Sequence, residues 1–144
     1  MARKPAAAKG SPFSIRLSAA TDLFVATEAR RTKRSKSAIV EALTEEAARM
    51  RRFPGLGFRG TDAERSAWVI GTGLDVWQVI EAYQGFDSVE HMVAETDLSE
   101  RQLRLAIAYH EHYPTEIDEA IAENRRPLDE LHELYPFIAS SYVD

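Results

Sequence analysis

The sequence predicts a mainly α chain in two parts, and three observations predict it. Apolar positions recur at helical spacing over most of the 144 residues. Serine, aspartate and proline stand at places that suit helix starts. Charge divides along the chain, with 14 Lys+Arg and 7 Asp+Glu in residues 1–65 (+7) against 4 and 16 in residues 66–144 (-12), together the overall -5. The expected order is a basic arm over residues 1–11, then one strand and two helices over 12–52. A connector follows over 53–65, then a small helical domain with a short strand over 66–126 and an acidic amphipathic tail over 127–144.

In the first part, Phe13, Ile15 and Leu17 alternate with Ser14, Arg16 and Ser18, the period of a strand with one apolar face. A strand this short cannot pair its own backbone groups, so it calls for a second copy of the chain and a homodimer. In such a two-stranded ribbon Phe13, Ile15 and Leu17 would lie on the helices, leaving Ser14 and Arg16 outward and repeated by the two-fold axis. A ribbon of that size fits the DNA major groove. Ser18 suits the cap of a first helix running through Arg30, with Leu23, Val25, Ala26 and Ala29 as a partial inner stripe. The run ARRTKRSKS interrupts the apolar pattern, and Ser35 suits the cap of a second helix with Ile39, Val40, Leu43, Ala47 and Met50 inward. Arg34, Ser35, Lys36 and Ser37 gather at that helix start, where free backbone N–H groups, the helix dipole and positive side chains suit a phosphate.

This stretch resembles the ribbon-helix-helix superfamily, bacterial repressors of the CopG, Arc and MetJ type. The resemblance rests on SIRLS, on RSKSAIVEAL and on the spacing from Ser18 to Ser35, over roughly the first third of the chain. It implies an intertwined dimer in which Ser14 and Arg16 read base edges, with Pro12 at the outer strand position. It also implies that the amides around Ser35, Lys36 and Ser37 clamp a backbone phosphate. Lys33 stands where the family often has Gly, and Asp22 where an inward apolar residue is common.

Composition bounds the rest. With 28% charged and 44% hydrophobic residues, the chain has the make-up of one ordinary globular domain or two small ones. It has no cysteine, which removes disulfides and thiolate metal sites and fits a reducing compartment. No apolar run reaches the length of a membrane span, and MARKPAAAKG lacks the apolar region of a signal peptide, so a cytoplasmic protein without membrane contact is expected. The basic arm reads either as a contact to DNA phosphates or minor groove, or as a solvated tail. The basic half suits nucleic acid, whereas the acidic half suits a basic protein.

In the connector, Pro54, Gly55, Gly57 and Gly60 forbid a continuing helix, while Phe53, Leu56 and Phe58 are too apolar for a free tether and predict an ordered turn. SAWVI reads as a strand. Asp75 with Gln78, and Ser99 with Gln102, are spaced as capping boxes, and Leu98 with Leu103 as a hydrophobic staple. Further helices start near Ser88 and Pro114, with Val76, Val79, Ile80, Val89, Met92, Leu103, Ile107, Ile117 and Ile121 among the inner positions. The pattern from Gly71-Thr72 through Asp75-Val76-Trp77, Ser88-Val89-Glu90, Leu98-Ser99 and Ala106-Ile107-Ala108-Tyr109 to Pro114-Thr115-Glu116-Ile117-Asp118 is similar to the domain-of-unknown-function family numbered 433, a helical domain common in bacterial antitoxins. It covers roughly another third of the chain, and Gly73-Leu74-Asp75 departs from the family's basic-aliphatic-Pro pattern.

Other chemistry finds little footing. Arg101, Gln102 and Arg104 would be the readers of a helix-turn-helix, but the surrounding -12 charge favours a packing or dimerisation role. Gly71-Thr72-Gly73 lacks the third glycine and the basic residue of a phosphate loop. His110 and His112 point to different helix faces, and no HExxH spacing exists. With no GxSxG elbow and no cysteine, neither an enzyme nor a cofactor nor a metal is expected. In the tail, Leu128, Leu131, Leu134 and Tyr135 fall at helical spacing before Pro136, Phe137 and Ile138. It reads either as a helix docked on its own domain or as an arm in a partner's groove, with Asp129, Glu130 and Glu133 meeting basic residues.

The two resemblances together imply a homodimeric DNA-binding antitoxin of a type II toxin-antitoxin system. It would repress its own operon from a double-stranded operator and neutralise a cognate PIN-like ribonuclease toxin through its acidic half. The alternative is a stand-alone repressor whose C-terminal domain dimerises or binds a ligand.

Overall fold

Where a helix can begin is decided locally in this chain, by serine, aspartate and proline. In the computed structural model, which describes residues 9–62, 65–126, 130 and 133–134, the order is α1 (Ala19–Thr32), α2 (Lys36–Arg52), β1 (Leu56–Arg59), β2 (Ser66–Val69), β3 (Leu74–Asp75), α3 (Val76–Tyr83), α4 (Val89–Glu95), α5 (Glu100–His112) and α6 (Pro114–Asn124). The chain divides into two compact units, Met1–Leu43 and Thr44–Asp144, with the boundary inside α2.

The first unit holds α1 and the beginning of α2. Ser18 caps α1, its Oγ accepting from the Thr21 N–H at 3.3 Å, and Ser35 caps α2, its Oγ accepting from the Ala38 N–H at 3.0 Å. Its ion pairs include Lys36 with Asp22 at 2.7 Å and Lys9 with Glu41. Val25 and Ile39 are its buried apolar residues among the described residues.

The N-terminal ribbon-helix-helix expected from the sequence is corrected here. Residues 9–18 form no strand, and the three strands of the chain's antiparallel sheet lie mid-chain, between Leu56 and Asp75. Phe13 and Ile15 are 83% and 62% exposed instead of lying on the helices. A segment of alternating residues gains nothing as a strand until a neighbour supplies the other half of its hydrogen bonds, and no neighbouring strand stands beside residues 12–18 in this chain. Mid-chain, the neighbours exist. The connector expected as an ordered turn contributes β1, which pairs with β2 in the register Leu56↔Val69, Gly57↔Trp68, Phe58↔Ala67, Arg59↔Ser66. The C-terminal part therefore carries three strands, not one.

That sheet presents Leu56, Ala67 and Val69 to the core and Trp68 to the other side. Gly57 opposite Trp68 leaves room for the indole, since a Cβ there would stand 2.7 Å from Nε1. Arg65 closes the outer edge of β1, donating to the Phe58 and Gly60 carbonyls at 3.2 and 3.3 Å while anchored to Glu46 at 2.7 Å. An edge capped by a charged side chain is a poor template for another strand.

Against the sheet pack α3, through Val76, Val79 and Ile80, and α5, through Leu103, Ala106 and Tyr109, with α4 and α6 adding Val89, Met92, Ile117 and Ile121. The two capping spacings form: Gln78 Oε1 accepts from the Asp75 N–H at 2.8 Å, and Ser99 and Gln102 bond reciprocally at 3.1 and 2.9 Å. The Asp75 carboxylate instead takes Arg59 at 2.8 Å and the Trp77 indole at 3.2 Å. Leu98 and Leu103 are both buried, as a staple requires.

One polar cluster is built into this core. Tyr109 is fully buried, and its hydroxyl donates to Glu116 Oε2 at 2.5 Å. Arg49 donates to the same hydroxyl at 2.7 Å and to Glu116 Oε1 at 2.9 Å, with its guanidinium 3.8 Å above the Tyr113 ring. Burial, then the bond and charge of Glu116, push the Tyr109 phenol well above its ordinary value, with Arg49 opposing. Burial works against the Arg49 charge, but Glu45, Tyr109 and Glu116 outweigh it and raise its pKa.

The sign of the resulting pH dependence follows. A phenol whose folded pKa lies above its unfolded one contributes its stability fully below the unfolded value, about 10, and loses it as the pH rises further. Thermal melts between about pH 8 and about pH 11 are expected to show a declining melting temperature above about pH 10. Tyr109→Phe should flatten that decline while costing about 1 kcal/mol below it. An unchanged alkaline decline in the variant would show that Tyr109 is not the group responsible.

Candidate nucleic-acid interface

Residues 1–43 hold nine Lys and Arg against three Asp and Glu, a net +6, and all four lysines of the chain lie within the first 36 residues. The turn between α1 and α2 concentrates that charge. α1 closes on Lys33, the one described non-glycine residue at positive φ (φ 56, ψ 38), whose N–H bonds to the Ala29 carbonyl. The Arg34 N–H reaches the same carbonyl at 3.0 Å. This left-handed residue reverses the chain so that Ser35 can cap the next helix, the role a glycine usually fills.

At the start of α2 the backbone donors are apportioned. Ser35 Oγ takes the Ala38 N–H, and the Ile39 N–H goes to the Ser35 carbonyl at 3.1 Å. The Lys36 and Ser37 amides precede the first intrahelical bond, so helix geometry leaves them to an acceptor from outside. The first turn of α2 contains no acidic residue. Arg34, Lys36 and Ser37 are exposed around these amides, Arg34 Nη2 lies 3.4 Å from the Ala38 carbonyl, and Lys36 leans on Asp22 across the turn. The arrangement can accept an oxyanion with two amides, a helix dipole and two cations, once Lys36 exchanges Asp22 for it.

The structure therefore brings Arg34, Ser35, Lys36 and Ser37 together. It does not join Pro12, Ser14 and Arg16 into one reading face, because all three sit on the irregular segment before α1. Each is exposed, and Arg16 has no intramolecular partner among the described residues. Of the tail residues expected to meet a protein partner, Leu134 is described, helical and 54% exposed. Leu128, Leu131, Tyr135, Phe137 and Ile138 lie outside the described residues.

Two features here had no signal in the sequence. The Lys36–Asp22 pair joins residues 14 apart across the turn, and the Lys9–Glu41 pair residues 32 apart. Neither separation corresponds to a helical or strand repeat. In the second unit His110 Nε2 lies 2.8 Å from Asp118 Oδ1, joining α5 to α6, and His112 Nδ1 lies 3.1 Å from the Ala108 carbonyl. Among the described residues no helix is long and apolar enough to cross a membrane, and no group of three or more metal-ligating side chains gathers.

No protein-family model matches this chain, and neither the curated proteins nor the solved structures provide a match.

Lys33 gives this turn a direct test. A side chain in the left-handed region is strained where glycine is not, so Lys33→Gly should raise stability by up to about 1 kcal/mol. A higher melting temperature is the expected result. A lower one would mean that the Lys33 side chain contributes more than its backbone strain costs.

Proposed function

We propose that this chain is a DNA-binding regulator acting as a homodimer in the cytoplasm, an antitoxin whose basic N-terminal unit engages double-stranded DNA of its own operon. The single observation that carries the reading is the start of α2, where two amides without helical acceptors meet Arg34 and Lys36 in a unit of net +6. Ser14 and Arg16, exposed just upstream, supply side chains for base edges, and Pro12 precedes them.

The second unit supports a separate protein partner. Residues 44–144 contain no lysine, nine arginines and 20 Asp+Glu, a net -11. Most of those arginines are committed within the unit: Arg49 to Glu116, Arg59 to Asp75, Arg65 to Glu46, Arg104 to Glu100, Arg125 to Glu81 and Arg126 to Glu123. A surface of that sign is repelled by DNA and attracts a basic protein. A ribonuclease toxin has that character, since it must itself bind RNA. The residues from Leu128 to Ile138, with their alternating leucines and carboxylates, supply anchors for it.

The test is binding of the purified chain to the DNA immediately upstream of its own coding sequence and to scrambled DNA of equal length, by fluorescence anisotropy over a salt series. Affinity for the upstream DNA is expected to fall steeply with salt as condensed counterions are released. Arg16→Ala should weaken binding to upstream DNA by about ten- to a hundredfold while changing scrambled-DNA binding far less. Equal affinity for both DNAs in the native chain, or an Arg16→Ala variant with unaltered preference, would remove the basis for sequence reading.

A further inference from the structure

The first unit is unfinished as a single copy. Among its described residues it buries Val25 and Ile39, while Phe13, Ile15, Leu23, Phe24 and Leu43 remain exposed, Leu23 and Phe24 at 65% and 52%. The second unit, by contrast, closes fifteen buried apolar residues into one cluster. A unit of about 40 residues rarely holds itself together without a metal, disulfides or a partner chain, and this chain has no cysteine. Nor do its polar ties compensate, since Lys9–Glu41 and Lys36–Asp22 are exposed ion pairs, which contribute little. The 14 residues of α1 also sit at the marginal length, about 12–15 residues, for a helix without packing.

We infer that the first unit acquires its fold only when its apolar face is covered by a second copy of this chain, whereas the second unit folds in a single copy. DNA-binding competence is then set by the concentration of the chain itself. This rests on the dimeric reading proposed above and adds its regulation. A second copy is the occupant because a unit that cannot stand alone needs its partner wherever the chain is made, and every molecule carries the same face. Self-pairing through large apolar side chains also matches the character of obligate homodimer interfaces, which are more apolar than transient ones. The stability of such a unit cannot be separated from protomer concentration.

The experiment is hydrogen exchange of the full chain read by mass spectrometry over a dilution series, with molecular mass measured on the same samples. Once single copies predominate, amides of residues 19–43 are expected to exchange about tenfold faster or more, while those of α5 stay protected. If two copies persist at every dilution, Leu23→Glu, which puts a charge on the apolar face, should yield single copies with the same exchange pattern. Single copies whose residues 19–43 keep the protection they have in the dimer would overturn the inference and leave the dimeric reading intact. A chain that is single at every concentration, with those residues protected, would overturn both. Pairing through the second unit alone, with residues 19–43 indifferent to dilution, would also overturn the inference.

Discussion

Two buried apolar residues in a 43-residue unit is the constraint on which the rest of this chain turns. Burial of apolar surface is the main term that offsets the chain entropy lost on folding. Where the second unit meets that cost with a sheet and four helices around one cluster, the first meets it barely at all. The same shortage explains why the exposed side chains there are large: Phe13, Ile15, Leu23, Phe24 and Leu43 are the material of a core whose other half is missing. It also places the candidate DNA contact on the least self-sufficient part of the molecule, so binding and assembly draw on the same residues.

Charge follows the same division. A net +6 before Thr44 and -11 after it give the two units opposite affinities within one chain. The arginines of the second unit are largely paired inside it, so its field is set by carboxylates. In the first unit Lys36 is held by Asp22 on the surface, a pair that a phosphate can displace at small cost. The reading of a regulator with a nucleic-acid partner and a basic protein partner grows from this contrast. Its antitoxin form adds the chemistry that a small RNA-cleaving protein would present.

How much of this was legible in the sequence depended on range. Signals that act within four residues were readable: Ser18, Ser35 and Ser99 cap the helices they were expected to cap, Gln78 and Gln102 complete their boxes, and Leu98 and Leu103 are buried together. The apolar faces of α3 and α6 were readable from their 3.6-residue period. Strand pairing was not. Residues 13–17 alternate well but have no strand beside them, whereas Leu56–Arg59, broken by a glycine, pairs with Ser66–Val69 because a short loop brings it there. Alternation reports which face a strand would bury and carries no information about the neighbour it needs. Likewise Arg49, Tyr109 and Glu116 meet across separations of 60 and 67 residues, which no local pattern encodes. Within the candidate interface, the helix start that gathers Arg34 to Ser37 was legible because it is local. The position of Ser14 and Arg16 was not, because it depended on a strand that does not form.

The central claim is that two copies of this chain make one DNA-binding body. The most direct measurement is the stoichiometry of its complex with its own upstream DNA, read as mass by native mass spectrometry or sedimentation at limiting DNA. The account requires chains to add to each site in pairs, with no stable species of one chain on one site. A complex that forms and saturates with a single chain per site would contradict it.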